Sequence, residues 1–225
     1  MPRDWSPPAW CRRVIVVGAG GFGREAVQWA HDAWPDQAGR IAGFLSADPA
    51  ALAGHPAALP MLGDPATFAV HPGDGFLLAI GIPLVRRRVA EELARRGAVF
   101  VTLVHPTAII ADTATIGAGS VICPQAVVSD AVRIGRCVLV NYHASLGHDA
   151  VADDYAVFSP YATLGGGAVV EEDVFLGLHA TVGPRVRIGA AAKVSANSAA
   201  LVSVPRQSLV YGVPGRSRPQ VVVTP

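Results

Sequence analysis

The sequence predicts two joined units, a small parallel α/β domain and then a chain that coils and stacks on itself. Two observations carry this. From Ala108 to Ser203 the sequence repeats every six residues without an insertion, with an apolar residue at the third position of each repeat. Ahead of that run, over residues 13–104, β-branched strand segments alternate with helical patterns, as in a parallel sheet with helical crossovers. With 225 residues, 51% hydrophobic and 16% charged, the chain is long and apolar enough to bury a core in each unit.

Taken in order, residues 1–12 contain Pro and Trp without periodicity and read as a loosely held arm. RRVIVVGAGGFGREAVQWAHDA then gives a strand, a glycine-rich turn and a helix that turns Ala26, Val27, Trp29 and Ala30 toward the sheet. IAGFLSAD is a second strand and GFLLAIGIP a third. VRRRVAEELARRG is an amphipathic helix stopped by Gly97, and AVFVTLVHP a further strand. His105-Pro106 marks the hinge. Residues 105–204 form the coil, and residues 205–225, rich in Pro and Arg, form a cap and tail.

Gly18, Gly20, Gly21 and Gly23 sit where the first strand feeds the first helix. Backbone N–H groups there can approach a phosphate at the positive helix end. The same glycines would equally serve a tight turn and close helix packing. The domain is about half a full dinucleotide fold, and where an acidic ribose partner is expected, about 20 residues on, FLSADP offers Ser46 and a late Asp48.

Each hexad opens with Ala, Ser or Val, buries one side chain at position three and favours Gly at position four. One hexad cannot fold alone, whereas stacked turns share a continuous core. If three hexads complete a turn, Gln125, His143, Tyr161, His179 and Asn197 stack as one polar column. Two readings stay open: a hydrogen-bonded ladder facing solvent or a neighbouring copy, or a wall in which His143 or His179 lines a ligand cleft.

A formal net charge of +1 gives no reason to expect nucleic acid or an anionic membrane as partner. No apolar run approaches the roughly 20 residues of a membrane span, and MPRDWSPPAWCRR lacks a signal-peptide core. Cys11, Cys123 and Cys137 match no zinc spacing. The expectation is a cytoplasmic protein that binds no metal.

VVGAGGFGRE, AIG ahead of an Arg-bearing helix, HPTA opening the hexads, an embedded GHD and a final YGVPGR together resemble one family, the sialic acid O-acetyltransferases and the bacillosamine and perosamine N-acetyltransferases. The resemblance runs from about Arg13 to Arg216. It implies a Rossmann-like N-terminal domain that binds the acceptor sugar, a left-handed parallel β-helix, a homotrimer, and acetyl-CoA as acyl donor lying between neighbouring coils. The family's catalytic histidine falls on His148, its acidic neighbour on Asp149 and a polar residue one hexad earlier on Asn141. An imidazole, with an ordinary pKa of about 6.5, can take a proton from an acceptor amine at neutral pH, and a carboxylate fixes its tautomer. By the same matching, CoA contacts fall on Gly165, Gly166, Leu178, Ala196, Gly212, Val213 and Pro214. Acceptor contacts fall on Gly18, Gly20, Gly21, Phe22, Gly23, Arg24, Ser46, Gly81 and Arg86. The arginines of VRRR are otherwise a solvated helix face salted with Glu91 and Glu92.

The chain departs from the family at four places. Phe44-Leu45-Ser46-Ala47 replaces paired acidic residues, Ile82-Pro83 a polar residue after AIG, Val157 a second histidine, and Phe22 a histidine in the glycine turn. All four make the expected acceptor pocket more apolar. The resemblance thus implies N-acetylation of an amino sugar. The alternatives are O-acylation, a non-nucleotide acceptor such as a lipid-linked sugar or secondary metabolite, and a non-catalytic trimeric scaffold.

Overall fold

The computed structural model describes residues 4–56 and 59–220. Strands β1 (Arg13–Val17), β2 (Ile41–Leu45), β3 (Met61–Gly63), β4 (Asp74–Leu78) and β5 (Val99–Phe100) form a parallel sheet in the order β3-β2-β1-β4-β5. Alternation along β1 sends Val14 and Val16 into the core shared with helix α1 (Gly21–Ala33), and Ile15 and Val17 into that shared with α2 (Pro83–Arg95). The sheet is therefore covered on both faces, as its near-continuous apolar strands require. In α1, Ala26 and Ala30 are buried, while Val27 and Trp29 pack half-buried against the same core. Helix α2 begins with Pro83 in its first turn, where no N–H is needed, and gives way to Gly97 at φ +90°.

AVFVTLVHP proves to be two short strands. Val99–Phe100 closes the α/β sheet beside β4, and Leu103–Val104 already pairs with Val121–Ile122 of the coil. From there the chain winds as a parallel β-solenoid, each hexad giving a two-residue strand at positions two and three. Residues 18 apart pair in register, for example Val127↔Ser145 and Ser145↔Thr163, so three hexads do complete a turn. Position three and the small position-one residues fill the interior from Ala114 to Ala200. Position six turns each corner. His143, Asp149, Tyr155, Tyr161 and His179 all hold φ of 54–62°, a conformation side chains rarely adopt. It is sustained because each of these five N–H groups donates to a carbonyl of the previous turn, as Asp149 N does to Asp130 O at 2.9 Å. Ser208–Tyr211 adds one more parallel strand, and Arg216–Pro219 folds back antiparallel to it, ending the open edge.

Position two points outward and distinguishes the three solenoid faces. On the face starting at Leu103 it reads Leu103, Val121, Leu139, Val157, Phe175 and Lys193, and the first four are buried beneath the α/β domain. On the next face it reads Ile109, Val127, Ser145, Thr163, Thr181 and Ala199, uncharged throughout. The third face carries Arg133 and Arg187 at this position.

The arm is held more firmly than its composition implies. Cys11 is fully buried, and the Trp34 indole donates to Trp5 O at 3.0 Å. At the hinge, His105 bonds Thr107 Oγ1 at 2.8 Å and Asp32 Oδ2 of α1 at 3.3 Å. Among the described residues, no helix is long and apolar enough to cross a membrane.

Candidate active site

Parallel sheets bind ligands outside the carboxyl ends of their strands, where the strand order reverses. Here that crevice lies between β1 and β4, which lead to α1 and α2 on opposite faces. Gly18 follows β1 at φ +113°, and a side chain there would overlap Ala79 O beyond β4. A side chain at Gly23 would overlap Gly18 O, so α1 seats directly on the turn backbone. Gly20 caps α1, and Gly20 and Gly21 face open space apart from the Arg24 guanidinium at 4.0 Å from a side chain built at Gly21. No acidic side chain stands in the first turn of α1, which leaves its positive end free for an anion. Ser46 lies at the end of β2, its Oγ accepting from Asp48 N at 3.1 Å. The fold thus brings the strand ends carrying Gly18, Gly20, Gly21, Ser46 and Gly81 to one end of the sheet. Phe22 leans instead onto Trp29 of α1, ring centroids 5.9 Å apart.

Arg86 is a correction. Expected as an acceptor contact, it is fully buried. Its Nε donates to Cys137 O at 2.6 Å and its Nη1 to Leu78 O and Ile80 O, both at 2.9 Å. Burial pushes its pKa down to about 10, so it stays a cation at neutral pH. Arg87 is no free surface charge either. It pairs with Asp173 at 2.8 Å and Glu172 at 3.0 Å and lies over the Tyr155 ring.

His148 and Asp149 occupy the corner after Ser145–Leu146, both well exposed. The His148 Nδ1 lies 2.8 Å from Asp149 Oδ2. With Nδ1–H donating to that carboxylate, the lone pair rests on Nε2. Nε2 is directed at Gly166, one turn on in the same corner. A Cβ built on Gly166 would stand 2.4 Å from it, so only glycine leaves the ring its place. Gly165 is equally constrained, since a side chain there would press on the Pro184 backbone at 2.5 Å. No hydrogen bond joins Asn141 to the pair among the described residues. Asn141 sits at the preceding corner of the same turn, where its Oδ1 accepts from Tyr142 N at 2.8 Å.

The proposed CoA contacts divide between two corners. Gly165 and Gly166 share the His148 corner, while Leu178 and Ala196 share the one bearing Asn141. Gly212 joins the latter group, its N–H bonded to Ser198 Oγ at 3.0 Å, with Val213 and Pro214 following through a cis peptide. The uncharged face lies between these corners.

Within the column from Gln125 to Asn197, the three middle members are joined by ring stacking. His143 on Tyr161 and Tyr161 on His179 both stack at 4.6 Å, within 13° of parallel. Tyr142 meets this stack edge-on and reaches Trp29 of α1 at 6.5 Å. Val157 is likewise no pocket residue. It is 2% exposed in the contact between solenoid and α/β domain.

Residues 13–93 match the PglD N-terminal domain. The chain is 27% identical over 107 residues to GDP-perosamine N-acetyltransferase of Escherichia coli O157:H7, a match covering 48% of each chain. It is 47% identical over 47 residues to UDP-N-acetylbacillosamine N-acetyltransferase of Bacillus subtilis strain 168, covering 21% of this chain and 22% of the relative. These matches therefore span about half or less of the relatives' length. The fold likeness is fuller. A histidine-to-asparagine mutant of perosamine N-acetyltransferase from Caulobacter crescentus, in complex with CoA and GDP-perosamine, superposes with a TM-score of 0.80 at 25% identity, covering 92% of this chain and 96% of that one. WeeI from Acinetobacter baumannii AYE superposes with a TM-score of 0.82 at 25% identity, covering 92% and 99%. Residues 13–93 thus carry a PglD-type N-terminal domain, and across both units the chain is similar in sequence and fold to perosamine and bacillosamine N-acetyltransferases.

Proposed function

We propose that the chain is an acetyl-CoA-dependent N-acetyltransferase acting on a nucleotide-linked amino sugar, with His148 as general base. The observation that carries this is the His148–Asp149 pair, its free Nε2 lodged against Gly166, in a fold shared with an enzyme that binds CoA and GDP-perosamine. Acetyl-CoA supplies the activated acyl group. His148 Nε2 takes the proton from the acceptor amine as the nitrogen–carbon bond forms, and returns it to the departing thiolate sulfur as the carbon–sulfur bond breaks. Asp149 holds the tautomer and stabilises the imidazolium between those steps. No side-chain nucleophile is required. Gly165 and Gly166 let the thioester arm lie against the backbone, and the positive end of α1 receives the acceptor's phosphates.

A homotrimer about the uncharged face is part of the same proposal. One chain holds Gly166 and Leu178 on different corners, so it cannot assemble the CoA contacts alone. Packing of the face from Ile109 to Ala199 between copies would set the His148 corner of one beside the Leu178 corner of the next. Asn141 would then reach the reaction from the neighbouring copy.

The test is thiol release from acetyl-CoA against UDP-, GDP- and dTDP-linked amino sugars and free aminoglycosides. Release with one nucleotide-linked amine supports the proposal. Release only with other amines moves the acceptor outside nucleotide sugars. Silence on all of them without CoA binding by calorimetry overturns the enzyme reading.

A further inference from the structure

The parallel sheet loses its last strand early. β5 accompanies β4 only as far as Phe76↔Phe100, and after Val101 N donates to Phe76 O the chain departs for the solenoid. The end of β4 is thus left open on that side at Leu78, and the loop that follows, residues 79–82, carries Gly81 at the mouth of the crevice. Buried carbonyls without donors are costly, and water or a side chain must supply them. Arg86, one turn into α2, supplies them: Nη1 bonds both Leu78 O and Ile80 O. Its Nε bonds Cys137 O, a corner of the solenoid. One guanidinium therefore stands in for the missing strand and ties the loop to the solenoid. No carboxylate pairs with it among these bonds, and its Nη2 is buried without a partner. An uncompensated buried cation is expensive, and a leucine or methionine would fill the space more cheaply. What an apolar side chain cannot do is join three carbonyls from two domains in one plane.

We propose that Arg86 is a positioning residue for the acceptor, fixing residues 79–82 at the crevice mouth relative to the solenoid that bears His148. This rests on the acceptor reading of the crevice given above. Arg86 touches neither substrate; it acts through the loop. Loss of it is expected to weaken acceptor binding while leaving donor binding and the chemical step in place.

The experiment compares full-length wild type, Arg86→Lys and Arg86→Met, with Arg87→Gln as a control that breaks ion pairs on the same helix. Amide hydrogen exchange is followed at residues 79–82 and in the solenoid, and acetyl-CoA binding by calorimetry. Kinetics use the acceptor found in the panel, with GDP-perosamine as first probe. Lysine carries one compact donor group and cannot reach both domains. We expect exchange at residues 79–82 to rise at least tenfold in Arg86→Lys, with solenoid exchange unchanged. Acceptor KM should rise at least tenfold, with kcat and donor KM within threefold of wild type. Arg87→Gln should show neither change. Should Arg86→Lys fail to fold, Arg86→Met carries the same expectation. Unaltered exchange at residues 79–82 overturns the proposal, as does faster exchange with an unchanged acceptor KM. A fall in kcat at constant KM overturns it too. A wild type inert toward every acceptor defeats the acyl-transfer reading instead, and the exchange data then still decide whether Arg86 restrains the loop.

Discussion

Gly166→Ala separates catalysis from stability within one methyl group. The Cβ would stand 2.4 Å from His148 Nε2, and ordinary contact begins near 3.4 Å, so the imidazole must retreat by about 1 Å or rotate away. It can do so cheaply, because the ring is the exposed end of a flexible side chain. Gly166 is not in the left-handed conformation of its neighbour Gly167, so alanine fits the backbone there. Reduced freedom in the unfolded chain then favours the variant by about 0.4–1 kcal/mol. The expected result is an unchanged or slightly raised melting temperature with kcat/KM lowered by about 10²-fold, the cost of misplacing a catalytic group by about 1 Å. Thiol release measures the rate, and calorimetry of CoA shows whether donor binding has changed as well. Adding His148→Asn to Gly166→Ala should cost little more than His148→Asn alone, since both remove the same base. A Gly166→Ala protein with turnover within threefold of wild type would refute the reasoning, for His148 would then not need the place the structure gives it.

Three further outcomes are expected. His148→Asn should keep the fold and the CoA affinity while lowering kcat by about 10²–10⁴-fold, read by thiol release. Leu139→Ala should lower stability by about 2–5 kcal/mol in urea unfolding, because it hollows the buried contact between solenoid and α/β domain. Asp74 gives a pH-dependent case. Burial pushes its carboxyl up, but hydrogen bonds from Arg13 and from His71 N outweigh this and hold it below the usual carboxylate range. Its contribution is thus fully present above the ordinary carboxylate pKa and fades as pH falls through the lowered one. Asp74→Asn should cost about 1–3 kcal/mol at pH 7 and progressively less below pH 4, and equal losses at pH 7 and pH 3 would contradict the pairing.

The hexad register was legible because a solenoid repeats one local environment, so each position-three residue faces the same core. The same regularity placed His148 and Gly166 in one corner. Position two held a further signal. Leu103, Val121, Leu139, Val157 and Phe175 stand 18 residues apart as an unbroken run of large apolar residues ahead of Lys193, which marks the part of the face the α/β domain covers. Val157 and Arg86 show where sequence fell short. Val157 matches a position where some relatives carry histidine, and Arg86 one where relatives carry arginine, so matching alone points both toward the acceptor pocket. Their environments are instead set by segments far away, α1 over Val157 and the Cys137 corner over Arg86.

By itself the sequence determined what depends on local repetition: the strand–turn–helix units, the six-residue period, the glycine turn and the adjacency of His148 and Asp149. Only the tertiary structure decided which side chains meet across the chain. It set Nε2 of His148 against Gly166, divided the residues proposed to hold CoA between two corners, stacked His143, Tyr161 and His179, and buried Arg86 at the junction. The reason is physical. Periodicity fixes the face on which a residue stands, whereas burial and partners depend on which distant surface comes to rest on that face.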